Sequence, residues 1–185
     1  MLMDKLKLGS YIMRTYRASR KGALTSAAQK RGYKSKVNGR AAEELVLVSD
    51  ISGLIYKRHE PYRRLTGGKV FKAQATEKAG CDYSVFTSYN AGMIEVKSRE
   101  ADRIALSALD ETQHAQLNQL SELGRIALVL VRLRGAWFCI PYQVFKSPPN
   151  GVKSWSTASL TPYQVKQVDG VLCLEEHLLR HYDEQ

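Results

Sequence analysis

Two pairs of β-rich runs constrain this chain most. Asp82–Thr87 and Gly92–Ser98 are joined by Ser88-Tyr89-Asn90-Ala91, a hairpin by composition and spacing, while Ile126–Leu133 and Ala136–Pro141 flank Arg134-Gly135, a second close turn. Between the pairs, residues 104–123 place Ile104, Leu106, Leu109, Leu117, Leu120 and Leu123 on a 3.6-residue period, which predicts a helix. Residues 40–51 read as an earlier helix, apolar nearly all the way round and therefore buried, with Gly53 ending it. Leu54–His59 and Lys69–Ala73 are short strand candidates with Gly67-Gly68 as a turn between them. Pro148, Pro149, Asn150 and Gly151 break the segment 146–156, and Leu172–Tyr182 reads as a closing amphipathic helix. Helix, strands, helix, strands, helix is the order of a layered α/β or α+β fold with a mixed sheet.

The charge is unevenly placed. The 185-residue chain carries +10, yet residues 1–36 hold ten Lys/Arg and one acid, leaving 18 basic and 17 acidic side chains for the rest. A basic block on a near-neutral domain is the footprint of a polyanion-binding arm. Residues 1–36 are therefore expected to be a flexible DNA-binding arm and 37–185 the folded domain. No stretch approaches the roughly 20 apolar residues of a membrane helix. The first eight residues lack the apolar block of a secretory signal, so a cytoplasmic protein is expected. Cys81, Cys139 and Cys173 are odd in number and widely spaced, which favours reduced thiols over a disulfide framework or a zinc site. No phosphate-cradling glycine motif occurs, so no nucleotide cofactor is expected.

The residues with chemical potential lie on the first strand pair. Side chains alternate along a strand, so Glu95 and Lys97 share one face while Ile94 and Val96 take the other. A four-residue turn lets Asp82 come beside Glu95. Two carboxylates and an ammonium at one spot suit phosphodiester hydrolysis, the acids holding one or two Mg²⁺ ions and the lysine orienting or activating water. A surface ion pair across two strands would have the same composition. Gln113 falls on the apolar stripe Leu106, Leu109, Leu117, Leu120, and a core-facing amide needs a partner, such as a group at the edge of a metal site. Glu43 or Glu44 must also reach a polar pocket or a charge partner from the first helix, and the helical phase does not choose between them. The four histidines have no metal-site spacing.

With these residues in view, the chain resembles the RecU-type Holliday-junction resolvases, including phage-encoded relatives, of the PD-(D/E)xK nuclease superfamily. Asn38-Gly39-Arg40-Ala41-Ala42-Glu43 is similar to the family's opening, which favours Glu43 over Glu44. Ile55-Tyr56-Lys57-Arg58-His59-Glu60-Pro61 looks like its basic strand, Cys81-Asp82-Tyr83 like its Asp-Tyr, and Ile94-Glu95-Val96-Lys97-Ser98 like its acid-x-Lys strand. Thr112-Gln113 falls where relatives have His-Gln, and Gly80-Cys81 where they often have threonines. The resemblance spans about 37–145. It implies a restriction-endonuclease-like core with a mixed central β-sheet flanked by helices, a homodimer, and paired nicks across a four-way DNA junction. It further implies a metal, Mg²⁺ or Mn²⁺, held by Asp82, Glu95 and the Val96 carbonyl with support from Glu43, Lys97 positioning the nucleophile, and Gln113 holding water or phosphate.

Phosphate contacts are then expected from Lys30, Arg31, Lys34 and Lys36 in the arm, and from Arg40, Lys57, Arg58, Arg63, Arg64, Lys69 and Lys72 in the domain. Two other readings compete: a nicking or repair nuclease of the same fold, and a non-catalytic DNA-binding protein that keeps the fold.

Overall fold

The computed structural model describes residues 38–47, 49–58, 62–65, 72–75 and 80–182. In chain order the elements are α1 (38–46), β1 (Gly53–Lys57), β2 (Tyr62–Leu65), β3 (Lys72–Ala75), β4 (Tyr83–Thr87), β5 (Ala91–Arg99), β6 (Arg103–Ala105), α2 (Glu111–Glu122), β7 (Ile126–Leu133), β8 (Ala136–Pro141), α3 (Tyr142–Phe145), β9 (Ser154–Ser156), α4 (Thr157–Leu160), β10 (Gln164–Val165), β11 (Gln167–Val168), β12 (Val171–Leu172) and α5 (Glu175–Tyr182). The fold is α/β. Its centre is a six-stranded sheet in the order β1-β4-β5-β7-β8-β10 with helices on both faces.

The sheet is mixed because β5 and β7 run parallel while the other neighbours are antiparallel. Parallel neighbours need a crossover, and α2 lies in it. Gly92 lets β5 approach β7, since a Cβ there would fall 1.8 Å from the Ile126 carbonyl oxygen. The β7–β8 hairpin turns through Arg134 and Gly135, both at positive φ, as a tight two-residue turn requires.

The central strand β7 separates two apolar layers. Ile126, Leu128 and Leu130 pack with Tyr83, Val85, Ile94, Val96 and, from α1 and α5, Ala42, Val46 and Leu178. Ala127, Val129, Val131 and Leu133 pack on the opposite face with Leu117 of α2, Phe145 of α3 and Trp155 of β9. A strand covered on both sides is apolar at every position, which explains the run IALVLV.

Several boundaries differ from those the sequence predicts. The first helix covers 38–46, not 40–51, and Gly53 opens a strand instead of closing a helix. Tertiary pairing takes over after Val46. The Asp50 amide donates to the Leu172 carbonyl at 3.0 Å, and the Asp50 carboxylate accepts from the Leu174 and Glu175 amides at the start of α5. The helix predicted over 104–123 begins only at Glu111. Residues Arg103–Ala105 pair with β9, Leu106–Ala108 form one 3₁₀ turn, and Asp110 caps α2. In place of one strand at Lys69–Ala73, β2 and β3 form a separate two-stranded ribbon, and Gly67-Gly68 lie outside the described residues. The last helix starts at Glu175, after the short strand β12. The arm 1–36 also lies outside the described residues. Among the described residues, no helix is long and apolar enough to cross a membrane.

Candidate active site

Where β1 ends and β4 begins, a polar row crosses onto the middle of β5. β1 runs beside β4 with Lys57 opposite Tyr83, and the Arg58 amide continues the ladder by donating to the Asp82 carbonyl at 2.8 Å. On the other side, β4 pairs with β5 through Tyr83 and Ile94, so Asp82 comes opposite Glu95. The Asp82 amide donates to Glu95 Oε2 at 3.1 Å, and the Val96 amide donates to Asp82 Oδ2 at 2.9 Å. The N–H and C=O of one strand residue leave the same edge, so the Val96 carbonyl faces the gap where β4 has not yet begun.

Lys97 stands two residues along β5 on the same face. Its Nζ lies 2.6 Å from Glu95 Oε1 and donates to Gln113 Oε1 at 3.2 Å. Gln113 sits at the third position of α2. Its amide donates to the Asp110 carboxylate, and its side-chain oxygen accepts from the Asp110 amide. Its Nε2 donates to Glu95 Oε1 at 2.8 Å and to the Gly80 carbonyl at 3.3 Å. The buried amide thus has partners on every side, and it ties the helix start to the Glu95–Lys97 pair.

The electrostatics are those of crowded acids. Glu95 is 1% exposed, and its carboxyl is pushed up to about 7, first by burial and then by the charge of Asp82, against the pull of Lys97. Asp82 is also raised, mainly by burial, with the Val96 N–H bond opposing and the charge of Glu43 adding to the rise. Burial and the two carboxylates likewise push the Cys81 thiol up to about 12.

Glu43 does not join this pair. Helix α1 packs on the face of Tyr83, Val85, Ile94 and Val96, whereas Glu95 and Lys97 project from the opposite face toward α2. Glu43 Oε2 is held instead by Lys57 Nζ at 2.6 Å, and the Glu43 carbonyl accepts from the Tyr83 hydroxyl. Among the described residues no group of three or more His, Cys, Asp or Glu side chains is placed to hold a metal. The oxygen donors brought together are therefore two carboxylates and one main-chain carbonyl. Two desolvated acids, with the charge of Asp82 raising Glu95 further and only oxygen to offer, fit a hard divalent cation such as Mg²⁺.

Of the basic residues expected to contact phosphate, Lys57 is engaged by Glu43, and Arg58 donates to Gln116 Oε1 at 3.2 Å and contacts Met93 Sδ at 3.4 Å. Arg40 is exposed on α1. Arg63 and Arg64 are on β2 and Lys72 on β3, in the ribbon. Lys30, Arg31, Lys34, Lys36 and Lys69 lie outside the described residues. Sequence reasoning missed Gln116. One helical turn after Gln113, its Oε1 also accepts from the Cys81 amide at 3.2 Å, which fixes the residue next to Asp82. Gly80 makes room for it: φ is +77°, and a Cβ would fall 2.0 Å from Gln116 Oε1.

No family model matches the chain. No curated protein matches it either. Among solved structures it is similar to the 1.6 Å structure of Hjc, a Holliday junction resolvase from the archaeal hyperthermophile Archaeoglobus fulgidus, with 17% sequence identity and a TM-score of 0.44 over 72% of this chain and 91% of that one.

Proposed function

We propose that this chain is a Mg²⁺-dependent, structure-selective endonuclease that hydrolyses phosphodiesters in four-way DNA junctions by paired nicks, working as a homodimer. The observation that carries the reading is the row Asp82–Glu95–Lys97, locked by backbone amides and by Gln113. Its acids are raised by burial, Glu95 further by the charge of Asp82, and its residues resemble the acid-x-Lys pattern of RecU-type resolvases.

Asp82, Glu95 and the Val96 carbonyl would hold the metal. A bound Mg²⁺ ion supplies a Lewis acid for a phosphate oxygen and lowers the pKa of a coordinated water. Lys97, paired with Glu95, offers an ammonium to the attacking water or to a phosphate oxygen. Gln113 fixes the rotamers of both Glu95 and Lys97 by bonding each. Glu43 and Lys57 act on Asp82 through their charges from the other face of the sheet. The ten basic groups in residues 1–36, against one acid, neutralise phosphates, so affinity falls steeply with salt. Junction preference arises from DNA shape, with little reading of bases.

The test is cleavage of a labelled synthetic four-way junction beside a linear duplex of the same sequence, with and without Mg²⁺. Symmetric, metal-dependent nicks confined to the junction are expected. Cutting of both substrates would remove the junction preference and leave a nuclease of another kind, and tight binding without cleavage would overturn the enzyme reading.

A further inference from the structure

Among the described residues, the sheet face that carries the candidate site continues onto β1 and β4 with no helix packed over it. Strand pairing places three rows of side chains on it: Arg58–Asp82–Glu95, then Tyr56–Ser84–Met93, then Leu54–Phe86–Ala91. Successive rows are two residues apart along the strands, roughly 7 Å. Helix α2 packs over β5 and β7 and leaves the outer two strands open. Leu54, Tyr56 and Phe86 are accordingly 59%, 54% and 47% exposed, with the two rings edge to face at 6.1 Å between centroids.

The inner side of this face is spent on packing, and the opposite face of the same strands buries Tyr83 and Val85 and packs Ile55 against the core. An apolar shelf left open one row from two carboxylates therefore has no folding role that its own neighbours supply. Its surroundings select an occupant. Arg58 stands in the row next to the shelf and beside Asp82, so a phosphodiester drawn to that row brings its own bases over the shelf. Flat aromatic faces beside a site for phosphodiesters suit a base, because any base can stack on a ring irrespective of sequence.

We propose that Tyr56 and Phe86, with Leu54 beside them, form a stacking platform for an unpaired or unstacked nucleobase one or two nucleotides from the phosphate at the Asp82–Glu95 row. The proposal rests on the nuclease reading of that row and gives its substrate a defined feature, a disrupted base pair close to the scissile bond. The platform holds the displaced base while the backbone lies along the row of Arg58, Asp82 and Glu95. Fully stacked duplex offers it nothing.

Binding without metal separates this proposal from cleavage. The full-length protein, in chelator, is titrated with a linear duplex, a single strand and a four-way junction of matched sequence, each carrying 5-iododeoxyuridine at one position. Tyr56→Ala with Phe86→Ala is expected to weaken single-strand and junction binding about ten-fold. Duplex binding should stay within about two-fold and the melting temperature should be unchanged, since both side chains are exposed. Tyr56→Trp should restore affinity, and photo-crosslinks should map to Tyr56 or Phe86 only with the unpaired or branched DNA. Equal loss on all three DNAs, or crosslinks that avoid both strands, would overturn the platform. So would a wild-type dimer that the double substitution splits, because the shelf would then be a contact between copies. Crosslinking to the shelf by a protein that never cleaves would leave the platform standing and bring down the nuclease reading.

Discussion

Asp82 and Glu95 are locked reciprocally: the Asp82 amide donates to the Glu95 carboxylate, and the amide following Glu95 donates to the Asp82 carboxylate. Neither acid can swing away without breaking a main-chain bond of the other's strand. The two carboxylates are thus held close together by the sheet itself; burial raises both, the charge of Asp82 raises Glu95 further, and that of Glu43 raises Asp82. Fixed, crowded acids are costly to a resting fold and useful to a cation site.

That cost has a pH signature. Glu95 is raised from the ordinary 4.5 to about 7, so the native state binds its proton more tightly than the unfolded chain does. Its contribution to stability is therefore present below 4.5 and is lost as pH rises through about 7, on the order of 3 kcal/mol at most. His177 works in the opposite sense, since burial lowers its pKa below 6.5 and stability is lost as pH falls through that lowered value. Thermal melts in chelator from pH 5 to pH 8, compared with Glu95→Gln, isolate the carboxylate: the native curve should decline across this window relative to the variant. Mg²⁺ should raise the melting temperature more at pH 8 than at pH 5.5, because it competes with the proton for Glu95. A wild-type curve parallel to that of Glu95→Gln would contradict the crowded-acid account.

Lys97 and Gln113 divide binding from chemistry. Lys97→Ala should abolish cleavage of the junction while leaving metal-free binding largely intact, as read by gel shift beside product formation. Gln113→Ala touches no phosphate directly, yet it frees both Glu95 and Lys97. Mg²⁺ affinity or cleavage should fall about 10- to 100-fold. Stability should also fall by about 1–3 kcal/mol, because a buried amide with four partners is removed. Gln113→Glu, which keeps the acceptor to Asp110 and Lys97 but adds a third negative charge, should not restore cleavage. Full cleavage by Lys97→Ala would remove the lysine from the chemistry.

The sequence showed the Glu95–Lys97 pair clearly, because a period of two is a local property and a short hairpin leaves few registers for Asp82. It did not show which face α1 would cover. Glu43 therefore looked like a member of the same group, although the sheet separates it and Lys57 takes its charge. The stripe starting at Leu106 places Gln113 on a buried face, and it is buried. The stripe, however, is not one helix: Leu106 and Leu109 precede the Asp110 cap, and the amide is held by that cap and by β5. Tyr56 and Phe86 left no signal at all. Alternation predicts that one face of β1 and β4 is buried, and nothing local says that α2 stops short of the other.

Asp50 supplies a prediction away from the site. Residues the helical pattern assigned to α1 fold back instead, and the Asp50 carboxylate accepts from the Leu174 and Glu175 amides, capping α5 from more than a hundred residues away in sequence. Those amides are among the orphan donors of a helix start. Asp50→Ala should cost about 1–2 kcal/mol of global stability in chemical denaturation, the range of a lost N-cap. Asp50→Asn should recover most of it, since the amide oxygen still accepts. Junction cleavage by both variants below their melting temperatures should match the native protein, because α5 packs through Leu178 on the face opposite Glu95 and Lys97. A loss of cleavage in a fully folded Asp50→Ala would instead couple the α1–β1 connection to the Glu43–Lys57 pair and through it to Asp82.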